Sequence, residues 1–422
     1  MQHGQAAQPP GKRRLFRRWN DEDLLPYRIE KEFKAPTLEN QQNLKTHGRV
    51  VLAKDASNDM VVIKIFEKSN NGLRNQPKYL DSFRKEMKFQ ALAAKGSHPA
   101  VPTIFKTIET KETLAFVMDW MQGGDLIDML MKRSKIRKRG MRFEPVLNDM
   151  ELRHIFYPLA SLLFHIHEEL PPEKQFAHRD FKLDNIGLKA NKKDLDVQGD
   201  GKLKGDADLL DTQVFLLDFG LAQFRRPVSV EVSTLLNKRC GTLEFVAPEI
   251  HMSRTPITDI APLDVWSFGI SLLASIVGRL PKIEAKWLIV DDPPMPSAME
   301  QQKFNVSPSV WDLLEKIFQE DPSKRLTIRG VLEHPYFNDC DNDAAYRPGS
   351  TSQQLCVQGR QRLANTEPVK PVTSEEVQQL FAEAVEQASK HDSSEKSVSS
   401  SSELSEVQPD SLSKGKEAAD NQ

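Results

Sequence analysis

Met60-Val61-Val62-Ile63-Lys64-Ile65-Phe66 is a short run of apolar positions broken only by the polar Lys64, a pattern that predicts a β-strand. Tyr27 to Phe33 and Arg49 to Lys54 predict two earlier strands, and Thr113 to Met121 predicts a later one that runs into a connector. Between them, Tyr79 to Ala94 places Phe83, Glu86, Met87, Gln90 and Ala94 at helical spacing. Further on the helical period dominates. Asp149 to Glu168 predicts an amphipathic helix, and Val265 to Val277 is apolar enough for a buried core helix but too short to span a bilayer. A last amphipathic helix is predicted over 373–388, with Val377, Leu380, Phe381, Ala384 and Val385 on one face and a Thr373/Glu376 capping box.

Composition adds bounds. The 422 residues are 39% hydrophobic and 28% charged, enough for a sizeable core with a well-solvated surface. A formal net charge of −2 gives no whole-chain argument for nucleic acid or for an acidic membrane, so no nucleic-acid binding and no membrane span are expected. Three cysteines without metal spacing suit a reducing compartment, and the N-terminus has no apolar segment of the secretory kind. A cytoplasmic or nuclear location is the expectation.

Chemistry concentrates in His178-Arg179-Asp180-Phe181-Lys182-Leu183-Asp184-Asn185, followed by a hydrophobic strand, Val214 to Leu217, that leads into Asp218-Phe219-Gly220. An acid, a lysine two positions on and an amide five positions on, joined by a second acid behind a strand, is a rare combination. It offers a base for a hydroxyl proton, a cation for a moving phosphate and hard oxygen ligands for Mg²⁺. The pattern resembles the catalytic and metal loops of the eukaryotic-type serine/threonine protein kinase family.

That resemblance implies an α+β, bilobal protein-kinase-like fold with a small β-rich N-lobe, a larger helical C-lobe and disordered extensions at both ends. It covers about residues 26–338, with the N-lobe at about 26–118, the C-lobe at about 122–338 and a polar insert at about 190–212. It also implies transfer of the ATP γ-phosphate to Ser or Thr of protein substrates, with ATP and Mg²⁺ as cofactors. Asp180, Lys182, Asn185 and Asp218 would be catalytic, with Asn185 and Asp218 as metal ligands. Lys64, fixed by Glu86, would hold phosphates; Val62 would lie above adenine, the backbones of Asp119 and Met121 would bind its edge, and Met118 would guard the pocket behind it. Asp125 would meet ribose hydroxyls or a basic substrate residue. Together with Asp184 it implies a preference for basic residues near the acceptor.

The glycine-rich phosphate lid is degenerate. Only Gly48, with Val50 two beyond it, matches the family, and Gly187 stands where an apolar side chain usually supports adenine from below. The alternative reading is therefore a pseudokinase or scaffold that binds partners without efficient catalysis, with Val62 partly offsetting Gly187. Later signatures favour the protein-kinase reading over small-molecule phosphotransferases. Glu249 after Ala247-Pro248 would pair with Arg325, and Asp264 would hold the catalytic-loop backbone.

The remaining stretches read as solvated. Residues 1–25 form a basic arm, and Lys132 to Arg142 carries seven cations. The insert holds Asp194, Asp196, Asp200, Asp206, Asp208 and Asp211, with Gly205 where a calcium loop needs its closing carboxylate, so a mobile acidic loop is expected. Lys238 occupies the usual activation-loop phosphothreonine position, leaving Ser233 and Thr234 nearest. Residues 339–422 are expected to be mostly disordered apart from the predicted helix at 373–388.

Overall fold

A computed structural model describes residues 26–33, 49–67, 77–110, 113–136, 144–197, 199–225, 243–252, 257, 259–280, 294–339, 341–342 and 345–367. Gly48, the basic arm, the segment 226–242 and the helix predicted over 373–388 lie outside the described residues.

Five strands, β1 (Arg28–Phe33), β2 (Arg49–Lys54), β3 (Met60–Glu67), β4 (Ile104–Glu109) and β5 (Thr113–Met118), form an antiparallel sheet in the order β1-β2-β3-β5-β4. The alternation of β3 divides its residues between two environments, because successive side chains of a strand point to opposite faces. Val61, Ile63 and Ile65 pack with Val51, Ala53, Ala115 and Val117 on one face. Val62, Lys64 and Phe66 take the other. There Phe66 meets Phe83 of helix α1 (Pro77–Ala93) edge to face, with ring centroids 5.2 Å apart.

The second lobe is helical and is built on α3 (Asp149–Phe164), in which every residue from Glu151 to Phe164 is buried. Its start is fixed by an Asn148/Glu151 capping box, and its end passes into a π-helical turn, His165–Glu169. Around it lie α2 (Leu126–Ile136), α4 (Ala261–Val277), α5 (Pro308–Ile317), α6 (Ile328–Glu333) and α7 (Thr351–Asn365). Short strands β6 (Gly124–Asp125), β8 (Ile186–Lys189) and β9 (Gln213–Leu216) make a small sheet, and β7 (Phe176–Ala177) pairs with β10 (Gln223–Phe224). The fold is the expected α+β bilobal one. Among the described residues, no helix is long and apolar enough to cross a membrane.

Two expectations need correction. The insert at 190–212 is packed: Leu203 and Leu209 are buried, Leu195 bridges to Leu203, and three of its acids, Asp200, Asp208 and Asp211, find cations. Asp200 pairs with Lys132 at 2.8 Å, Arg133 donates to the Ala207 carbonyl at 2.7 Å, and Arg347 pairs with both Asp208 and Asp211. The basic stretch and the acidic insert are thus joined by the Lys132–Asp200 ion pair and the Arg133–Ala207 bond.

The other correction concerns the tail. Residues 351–365 fall in the stretch expected to be mostly disordered, yet they form α7, capped by Ser350 and packed along α3. Leu355, Cys356 and Leu363 are buried there, and Gly359 allows the close approach: a Cβ at 359 would collide with the Tyr157 hydroxyl.

Candidate active site

The cleft between the lobes begins at Lys64. Strand register sets it opposite Val50 on β2 and Phe116 on β5, on the same face as Val62. Its ammonium lies 2.6 Å from Glu86 Oε1 on α1 and 3.2 Å from Asp218 Oδ1. Burial opposes the charge, but the two carboxylates overcome it and raise the Lys64 pKa. One cation thus joins sheet, helix and the loop after β9. Val62 is buried opposite Leu52 and Met118, so its side chain belongs to the cleft face between Lys64 and the connector.

The loop 178–185 is held from below by Asp264 of α4. This fully buried carboxylate accepts the backbone N–H groups of His178 and Arg179, each at 2.7 Å, and bonds the His167 ring at 2.9 Å. Burial disfavours its charge, yet these partners hold the Asp264 carboxyl below its ordinary range. Arg179 adopts φ 66° and Asp218 φ 63°, left-handed conformations that cost energy in a side-chain-bearing residue and persist where surrounding bonds impose them. His178 accepts from Asp180 N–H at Nδ1 and bonds the Leu217 carbonyl at 3.0 Å through Nε2, while the Leu217 N–H donates to the Asn185 carbonyl at 2.8 Å. The two loops are laced together.

Within this frame the Lys182 ammonium lies 2.9 Å from Asp180 Oδ2, and Asn185 Nδ2 donates both to the Asp180 carbonyl at 2.8 Å and to its Oδ2 at 2.9 Å. With the amide nitrogen so engaged, Asn185 Oδ1 is turned away from Asp180 and is able to accept a cation. An amide oxygen with a carboxylate is a hard, incomplete donor set. It suits Mg²⁺, which keeps waters and substrate phosphates among its ligands. No group of three or more His, Cys, Asp or Glu side chains among the described residues forms a closed metal cage.

The connector carries Asp119 and Met121. Asp119 directs its side chain to the rear, accepting from Thr103 N–H at 2.9 Å and pairing with Lys189 at 2.9 Å. The Met121 carbonyl accepts from Gly124 N–H at 3.0 Å. Asp125 starts α2 and accepts from Asp128 N–H at 2.9 Å. A Cβ at Gly187 would lie 2.7 Å from Met121 Cγ and 3.0 Å from Leu217 Cδ1. The space at Gly187 is therefore filled from Met121 and Leu217, neither of which sequence reasoning had identified for that place. His167 was also missed, because its partner Asp264 is 97 residues away in the chain. Glu249 and Arg325 do pair, at 2.7 and 2.9 Å, with the guanidinium wholly buried.

Comparison with known proteins agrees with this geometry. Residues 46–337 match the protein kinase domain family, and the chain belongs to that family. It is similar to a probable serine/threonine-protein kinase of Saccharomyces cerevisiae, 29% identical over 248 residues, which cover 58% of this chain and 13% of the relative. It is also similar to the mouse phosphorylase b kinase gamma catalytic chain, liver/testis isoform, 26% identical over 321 residues, or 73% of this chain and 66% of that one. A rice CBL-interacting protein kinase is 27% identical over 240 residues, covering 57% of this chain and 43% of the relative. The chain spans less than two thirds of the length of each.

Proposed function

We propose that the chain is a serine/threonine protein kinase that transfers the γ-phosphate of ATP to hydroxyl groups of protein substrates. The observation that carries this reading is the Lys64 ammonium bonded at once to Glu86 and Asp218. Those three groups come from a strand, a helix and a distant loop, and a structural role alone gives no reason to gather two carboxylates on one buried ammonium.

In this reading Lys64 positions the nucleotide phosphates, and Val50, Val62 and the Met121/Leu217 floor enclose the base, whose edge meets the backbones of Asp119 and Met121. Asp180 accepts the proton of the attacking hydroxyl. Lys182, beside it, offsets negative charge as the phosphoryl group moves, which favours Ser and Thr as acceptors. Asn185 and Asp218 would hold Mg²⁺, which when bound supplies charge neutralisation on the phosphates. The buried thiol of Cys356, bonded to the Phe337 carbonyl at 3.3 Å, suits a reducing cytoplasmic or nuclear setting.

The test is transfer of labelled phosphate from ATP to a generic protein substrate, run beside Asp180→Asn. Incorporation into Ser or Thr by the wild type and its loss in the variant are the expected results. Equal incorporation by both would defeat the reading. A scaffold without catalysis would instead show nucleotide-independent partner binding and no Asp180-dependent transfer.

A further inference from the structure

Three acids flank the catalytic loop on its outer side. Asp125 pairs in strand register with Gly187, two residues beyond Asn185; Asp128 follows one helical turn later; and exposed Asp184, next to Asn185, lies close enough to raise the Asp125 carboxyl further, which burial already pushes up. On Asp125 and Asp184 alone the sequence implies substrates with basic residues. The structure adds a fourth group.

Lys202, from the insert, reaches this cluster. Its ammonium pairs with Asp128, and its aliphatic stem lies across Gly124, where a Cβ would come within 2.8 Å of Lys202 Cδ. Gly124 has φ 85°, so the position both requires glycine and leaves a groove for the lysine stem. The backbone around Lys202 is fixed on every side. Its N–H donates to Asp200 Oδ1 at 3.0 Å, its carbonyl accepts from Asp196 N–H at 2.7 Å, and the next residue, Leu203, is buried and donates to the Gly123 carbonyl at 3.2 Å. Asp200 is tied in turn to Lys132. The lysine is therefore presented by a folded turn rather than by chance contact of a loose side chain.

We propose that Lys202 is a specificity-determining residue: an internal cation that occupies the acidic patch and so removes the advantage a basic substrate residue would otherwise have. The inference rests on the kinase reading above. Burial disfavours the Lys202 charge, but Asp128, Asp125 and Asp200 outweigh it and raise its pKa, so the ammonium stays charged at neutral pH. About a third of the Lys202 and Asp128 side chains is exposed, which leaves the pair in contact with solvent and open to competition. Solvated pairs of this kind are weak, so the effect on specificity is a modest factor rather than an on-off switch.

The experiment is a set of serine peptides, each with one arginine scanned through the positions around the acceptor, compared with an alanine parent. Wild type, Lys202→Met and Lys204→Met are assayed. Methionine keeps an unbranched stem over Gly124, and Lys204, whose ammonium bonds the Lys193 carbonyl, controls for a general change of net charge. Wild type is expected to treat arginine and alanine peptides alike. Lys202→Met is expected to lower KM by roughly two- to fivefold for arginine in one register, with kcat kept, and Lys204→Met to change nothing. Adding Asp128→Asn to Lys202→Met should reduce that gain. A wild-type profile already favouring arginine, or an arginine profile unaltered in Lys202→Met, overturns the inference while Asp180-dependent turnover of the alanine parent leaves the kinase reading intact. Absence of that turnover in all variants overturns both.

Discussion

Asp264 accepts the backbone N–H of Arg179 at 2.7 Å and holds that residue at φ 66°. The bond puts a fully buried charge of helix α4 in command of a left-handed residue that directly precedes Asp180. Backbone strain near the chemistry is thus balanced from the core and not from the cleft.

Removing that charge should damage stability and turnover together. Asp264→Ala leaves two buried N–H groups and the His167 ring without an acceptor, a loss of about 3–5 kcal/mol by analogy with breaking other buried charged networks. Urea denaturation measures the stability loss, and kcat on the surviving folded fraction measures the second effect. A change below about 1 kcal/mol would show that the loop holds its shape unaided.

Glu86→Gln keeps shape but removes one of the two carboxylates facing Lys64. Loss of a charged hydrogen bond of this kind is expected to lower kcat/KM for ATP by roughly ten- to hundredfold. Steady-state kinetics at varied ATP gives the answer, and near-wild-type kinetics would mean that Asp218 alone positions the lysine.

The base-site floor can be probed by a double-mutant cycle. Met121→Ala should weaken nucleotide binding by roughly three- to tenfold through lost apolar contact. Gly187→Leu should recover part of that loss in the Met121→Ala background, where the space is open, but weaken binding in the wild type, where Met121 Cγ stands in the way. Calorimetry on the four proteins measures the coupling. Additive effects would separate the two positions.

His98 is buried against Ser161 and accepts from Ala100 N–H at Nδ1, and burial, with Arg362 and His165 nearby, depresses its pKa to about 3. Between pH 6.5 and 3 the unfolded chain therefore binds a proton at this site that the folded chain does not. Its contribution to stability is fully present above pH 6.5 and is lost on acidification, at up to about 1.4 kcal/mol per pH unit. Urea midpoints from pH 7 to 5 should fall less steeply in His98→Asn than in wild type. Equal slopes would assign the pH dependence elsewhere.

The candidate catalytic stretch stood out in the sequence as a cluster because it is local: Asp180, Lys182 and Asn185 lie within six residues, and their mutual bonds follow from that spacing. Lys64 and Glu86 were readable from the two periods, one strand and one helix, that bring them to a shared face. Lys202 was not, because it meets Asp128 across 74 residues and both sit in segments whose charges alone suggest solvent. Helix α7 was hidden for another reason. Gly359 and its polar neighbours argue against a buried helix until Tyr157 is known to need the room.

Helix α7 also decides where the cooperative unit stops. Arg329 pairs with Glu168 and donates to the Leu363 and Thr366 carbonyls, while Arg362 clasps Glu169 of the π-helical turn at 2.6 and 2.7 Å. A chain shortened at the last family-matched residue, 337, would strand those charges and bare the apolar flank of α3. Truncation at that border should yield an aggregating product, whereas one ending after 367 keeps its clasp, so the heritage of the domain and its physical perimeter do not coincide.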